Sequence, residues 1–312
     1  MTPTTKTENS HKAVLRSSLG ILATATATHG TGLDGDIPLP RLPGFVESAF
    51  SPLAYEAARL CLAERPGDGS RTAVALASTA GDTTTADLAS RRMVSGRVHN
   101  PLLFMQATPN SVLGYLSREF AITGQMFSLS TLDDPVTELL SMADLLLEDP
   151  EVDCVLVIGV ELGGSERLAA VNEELAAAYG ELAGGDRRPA PTSAPALPAS
   201  AGLAAAVLLG RPGTETPVSV RSTDAYDTDT PTPIGADAAD ATGATRRPGD
   251  VQSLFDLAAA HRWLLREGGS RLLVTGSRVP AFLLTTDTEA KTEAKTDAET
   301  DARNETETHA HQ

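Results

Sequence analysis

Apolar residues return at helical spacing after Ser51 and Pro52, at Leu53, Ala57, Leu60 and Cys61, and the Ser-Pro pair marks where that helix starts. Upstream, Ala13 to Ala27 begins with a strand, and Thr72 to Ala77 is a short apolar run suited to a buried strand. Ser111 to Phe120 follows a helical pattern through Val112, Tyr115 and Leu116. Phe127 to Ser130 is then a short strand that runs into a polar elbow, Ser130 to Pro135. The segment after it, Val136 to Leu147, is apolar nearly all round, with Leu139, Leu140, Met142, Ala143, Leu146 and Leu147. That pattern predicts a buried central helix.

Two more buried strands, Cys154 to Ile158 and Ala204 to Leu209, flank the Pro-rich stretch Arg187 to Pro198, and Thr223 to Asp250 reads as a long polar loop. Val251 to Arg266 is amphipathic, with Asp250 placed to cap it and Gly268 to stop it; strands follow near Leu272 to Thr275 and Ala281 to Thr285. Strands alternating with helices predict a layered α/β fold. Met1 to Ser10 and Thr286 to Gln312 are polar with no apolar face and are expected to be disordered, because they bury too little to offset ordering entropy.

With 312 residues and 41% hydrophobic side chains, the chain has material for a substantial core. Few aromatics and abundant alanine predict closely packed helices and small-residue strands. A net charge of −16 weighs against a general nucleic-acid or acidic-membrane binder, whose phosphates the field repels. Residues 287–312 hold eight acidic against three basic side chains, so the body is less acidic than the total. Cys61 and Cys154 lie in apolar stretches, which predicts buried free thiols rather than a disulfide or metal pair, and a cytoplasmic protein. No run approaches the roughly 18 apolar residues of a membrane span. Residues 12–28 only faintly resemble an export signal, being too rich in Ser and Thr.

Gly30-Thr31-Gly32-Leu33-Asp34-Gly35 matches the GxGxxG spacing of a dinucleotide site, which needs a helix to begin at the motif. Pro38, Pro40 and Pro43 follow it and forbid that helix. Of the histidines, His261 shares an apolar face with Leu254, Leu257, Ala258 and Leu265 and is expected to be a core or interface residue rather than a base. His309 and His311 lie in the tail without preorganised partners, so no metal site is expected there.

A family resemblance rests on several blocks in order. They are Asn100 to Met105, Thr108 to Gly114, Gly124, Ser128 to Thr131, the buried helix, Val155 to Glu161, and the small-residue strand Ala201 to Leu209. Together these resemble the amino-terminal region of the β-ketoacyl synthases, over roughly Lys12 to Arg211. The resemblance implies a thiolase-like layered α/β fold, complete in its amino-terminal half and truncated in its carboxyl-terminal half. It divides the chain into a polar start (1–11), a ketosynthase-like region (12–211), a reduced region with a long polar loop (212–285) and an acidic tail (286–312). About 75 residues separate Gly210 from the tail, where a full ketosynthase carries another complete repeat.

A working member of this family holds a cysteine thiolate at the start of the buried helix, supported by two histidines from the second half. The matching stretch here, Ser130 to Pro135, holds no cysteine. Alignment puts Asp133 at the nucleophile position, and a slip of one residue gives Leu132 or Asp134; none forms a thioester. Asp134 before Pro135 suits an N-cap, and Asp133 meets the positive end of the helix dipole. The chain therefore resembles a chain length factor, the inactive partner of an active ketosynthase in type II polyketide systems.

The resemblance implies a heterodimer with a cysteine-bearing ketosynthase and, through that complex, work with an acyl carrier protein and its phosphopantetheine. No cofactor of the chain's own is expected. Leu102, Leu103, Phe104 and Met105 are the chain-length candidates, with Asn110 as a structural residue near the elbow; bulk at a tunnel end rejects a further two-carbon unit. The alternatives are a malonyl or acyl-carrier-protein decarboxylase or acyltransferase of the same fold, or a stand-alone binding protein.

Overall fold

The computed structural model describes residues 14–32, 34–96, 101–130, 135–163, 201–213, 216–223, 233–234, 251–275 and 281–286, with the single positions 170, 174 and 198. In chain order these give β1 (Leu19–His29), α1 (Phe50–Glu64), β2 (Thr72–Ala77), α2 (Thr83–Val94), α3 (Pro101–Gln106) and α4 (Pro109–Glu119). Then come β3 (Met126–Leu129), α5 (Pro135–Leu146), β4 (Cys154–Leu162), β5 (Gly202–Gly210), β6 (Val218–Thr223), β7 (Pro233–Ile234), α6 (Gln252–Glu267), β8 (Ser270–Leu273) and β9 (Ala281–Thr286).

All the described strands join one mixed sheet in the order β3-β2-β4-β5-β1-β6-β9-β8-β7. Strands β3, β2 and β4 run parallel, and β5 and β1 follow antiparallel. Side chains alternate between two cores. Ala73, Ala75, Val155, Val157, Ala205 and Val207 meet α5 and α6 on one face, whereas Val74, Leu76, Leu156, Ile158, Ala206 and Leu208 meet α1 and α4 on the other. Burial on both faces explains why the central strands read as unbroken apolar runs.

In β1 the pairing shifts between Ile21 and Ala23, leaving Leu22 as an extra residue. Ile21 therefore points to the α5/α6 core, and Ala23, two positions later, to the α1/α4 core. The expected strand start at Ala13 moves to Leu19. Residues 14–18 are tied to other elements instead, Leu15 N–H donating to Ser222 Oγ (2.8 Å), Arg16 N–H to Asp144 Oδ2 (2.8 Å) and Ser17 Oγ to Asp144 Oδ1 (2.7 Å).

Beyond Gly210 the described residues do not build a second sheet. Strand β6 pairs with β1, and β9, β8 and β7 extend the same sheet. Helix α6 starts at Gln252; Asp250, its expected cap, lies outside the described residues, and Val251 supplies no side-chain cap. Gly268 (φ 69°) ends the helix as expected, its N–H donating to Leu264 O. The last strands fall at 270–273 and 281–286, not 272–275 and 281–285, because β9 offers ladder partners only to Ser270 through Leu273. Helices α2 and α3 and strand β6 were not legible in the apolar pattern. In α2 only Thr85 and Ala89 are buried, too few to leave a periodicity.

Candidate functional site at the carboxyl ends of the parallel strands

The parallel strands β2 and β3 end level, with Ala77 opposite Leu129, and β4 runs three residues past Gly159, the partner of Ala77, to end at Leu162; ligands gather at such carboxyl ends in open α/β sheets. Their exits are laced by polar bonds. Ser78 N–H donates to Leu129 O (3.1 Å), Ser130 Oγ donates to Thr79 O (3.0 Å), and Thr79 N–H donates to Glu161 Oε1 (2.6 Å). The Thr79 backbone is thus held on both sides, its C=O by the Ser130 hydroxyl just past β3 and its N–H by a carboxylate from β4. Neither Thr79 nor Glu161 had been singled out from sequence; the turn residues Gly81 and Asp82 after an apolar strand were the available signal. Asp82 caps α2, accepting from Thr85 N (3.0 Å) and Thr85 Oγ1 (2.7 Å), and burial raises its pKa against the pull of those bonds.

Asn110, in the first turn of α4, accepts through its Oδ1 from Ser128 Oγ of β3 at 2.8 Å. Thr131, Leu132, Asp133 and Asp134 lie outside the described residues. On the far side of the elbow, Pro135 opens α5 and is buried with Val136, Leu139, Leu140 and Ala143, as the apolar pattern predicts. Leu145 breaks that pattern, being 49% exposed. Thr137 in the first turn of α5 approaches Thr275, just past β8, with their hydroxyls 3.5 Å apart. A hydroxyl of the second region thus reaches the first turn of α5.

The sequence holds two cysteines, and both lie far from the elbow. Cys61 is fully buried in α1, where desolvation pushes its pKa up to about 12. Cys154 is buried at the opposite end of the parallel ladder, paired with Thr72, and burial raises its pKa as well. At about 3.3 Å per residue, the six residues of β2 put it roughly 17 Å or more from the elbow.

His261 lies under β1, its Nδ1 3.1 Å from Thr24 Oγ1, and its Nε2 is buried without a hydrogen-bond partner. Desolvation, helped by Arg262, pulls its pKa down to about 4. Strand β1 lies four strands from β3, roughly 19 Å away at ordinary strand spacing. His261 is a neutral core residue, as its apolar face predicts. The GxGxxG stretch turns on itself: Asp36 accepts from Thr31 Oγ1 (2.6 Å) and Gly32 N (2.9 Å), and among the described residues no helix begins before Phe50. Its amide and hydroxyl are spent on a carboxylate of the same turn.

Helix α3 separates the four chain-length candidates. Leu103 is 3% exposed and packs inward, whereas Leu102, Phe104 and Met105 are 57%, 39% and 63% exposed. Leu102 and Met105, three residues apart, share the outer face. Met93 and Val94, in the last turn of the adjoining α2, are also exposed. Helices α2 and α3, which pack on each other, thus both expose apolar side chains, of the kind that mark interaction sites.

No protein-family model matches the chain, and neither does any curated protein. Solved structures do share its fold. A chain of the ketosynthase ApeO in complex with its chain length factor ApeC, from Xenorhabdus doucetiae, aligns with a TM-score of 0.52 at 15% identity, covering 86% of this chain and 100% of that one. A chain of AntDE:AntF, a type II polyketide synthase acyl carrier protein in complex with its hexaketide-bound ketosynthase, gives 0.54 at 12%, covering 87% and 100%. The ishigamide ketosynthase/chain length factor gives 0.51 at 15%, covering 86% and 98%. The chain has the thiolase-like fold of these assemblies.

Proposed function

We propose that this chain is a non-catalytic chain length factor, which pairs with a cysteine-bearing ketosynthase and shapes the far end of its acyl tunnel. The observation that carries the reading is the mismatch at the elbow. The fold is that of a condensing enzyme, yet both cysteines are buried away from the elbow and the described histidines lie elsewhere. A thiolate nucleophile cannot be supplied from this chain.

Two surfaces support a partner. Strand β3 is an edge of the described sheet, and an edge with open backbone groups invites another strand. Helix α3, which packs on α4 and through it toward β3, turns Leu102, Phe104 and Met105 outward, which leaves those three as the tunnel candidates and Leu103 in the core. The acyl carrier protein and its phosphopantetheine come to the complex through the active subunit, since this chain's charge of −16 offers little to the phosphate of that arm.

Co-expression with a cysteine-bearing ketosynthase tests the reading directly. A stoichiometric complex is expected, with condensation lost on replacing the partner's cysteine and retained in Asp133→Asn of this chain. An assembled complex inactivated by Asp133→Asn, or malonyl carrier protein turned over by this chain alone, would instead favour a decarboxylase or acyltransferase.

A further inference from the structure

At the end of the sheet away from the elbow, a cavity of about 170 Å³ opens where β2 and β4 begin. Leu62 of α1, Leu208 of β5, Phe120 and Ile122 wall it, and Thr72 and Cys154 form its floor. We propose that this cavity binds a neutral ligand the size of a single aromatic ring.

The volume suits one ring: an enclosed apolar cavity of about 150 Å³ holds benzene, and this one, with exposed Pro66 and Gly67 in its lining, opens to solvent and so admits a ring directly. The floor is polar yet asks nothing of a ligand. Thr72 Oγ1 donates to Asp68 O at 2.9 Å, so the Cys154 thiol, 3.3 Å away, is the donor to Thr72 Oγ1. What remains facing the cavity is a polarisable sulfur, which favours an aromatic contact. The Phe120 wall is held from behind by Tyr55, stacked at 5.9 Å, which in turn meets Tyr115 edge-on at 5.6 Å. A wall fixed in this way loses little freedom when a ring docks on it. The site is independent of the elbow, with the length of β2 between them.

Gly67 lines the cavity in open space and has no positive φ, so a side chain can be added there without strain. The test is thermal unfolding of the full chain with toluene or benzoate, with Cys154 modification by methyl methanethiosulfonate read by mass spectrometry. Toluene is expected to raise Tm by about 2–4 °C and to slow labelling of Cys154 about tenfold, while Cys61 stays unlabelled. Gly67→Phe should fold with its ligand-free Tm retained and lose both effects; Leu62→Trp, filling from α1, should repeat that result. Three results would each overturn the proposal: no toluene effect in the wild type, equal effects in both filled variants, or a larger shift with benzoate, which would make the charged lining residue Arg65 the determinant.

Discussion

At Gly159 an added Cβ would lie 2.4 Å from Leu254 Cδ1 and 2.9 Å from Val251 Cγ1, so the glycine sets how closely α6 approaches β4. Gly159→Ala is expected to cost about 1–3 kcal/mol, measurable as a lowered urea midpoint with unchanged slope. His261 carries a second prediction. Its folded pKa of about 4 lies below the ordinary 6.5, so the unfolded chain takes up a proton first as pH falls. Its contribution is complete above pH 6.5 and is lost on the way down to about pH 4, at a cost of about 3 kcal/mol. Urea midpoints between pH 7 and pH 4.5 should fall more steeply in the wild type than in His261→Leu; equal slopes would assign the acid sensitivity to carboxylates.

Strand β3 concentrates what the elements predict about assembly. In its parallel ladder with β2, Val74 N–H donates to Gln125 O and Ser78 N–H to Leu129 O, so Gln125, Phe127 and Leu129 face β2. Met126 and Ser128 then turn their backbone groups to the open edge. Met126→Pro removes an edge donor without touching the β2 ladder. Size-exclusion chromatography of the co-expressed pair should show the complex lost while the isolated chain keeps its circular dichroism. A complex that survives would move the docking surface off this edge. The bulge in β1 and the buried pattern of α5 show how differently elements announce themselves: α5 was legible from its apolar residues alone, whereas the extra residue at Leu22 is defined only by the register of β5.

For the molecule as a whole, the apolar surface on α2 and α3 should make the isolated chain prone to self-association despite its charge of −16. Leu102→Glu together with Met105→Lys, both at exposed positions, should reduce light scattering of the isolated chain and weaken the proposed heterodimer by tenfold or more, about 1.4 kcal/mol or above. Leu103→Glu should unfold the chain instead, because it buries a charge. Enlarging Met105 to Trp is expected to shorten the product of the complex, read by mass spectrometry. An unchanged product would remove α3 from the tunnel.

The sequence by itself determined the alternation of strands and helices, the burial of α5, the absence of a thiol from the elbow and the core placement of His261. Each of these follows from residue type and local periodicity, which are properties of neighbours along the chain. Tertiary structure decided the rest. Whether Leu102 or Leu103 faces outward depends on where a helix of six residues meets α2 and α4, and so short a helix carries no period of its own. The continuation of the sheet through β6 and β9 depends on β1 having an edge to offer, and the clamp on Thr79 depends on β4 running three residues past the end of β2, which brings Glu161 level with Thr79. Such facts depend on distances between residues remote in sequence, and only the folded chain sets those distances.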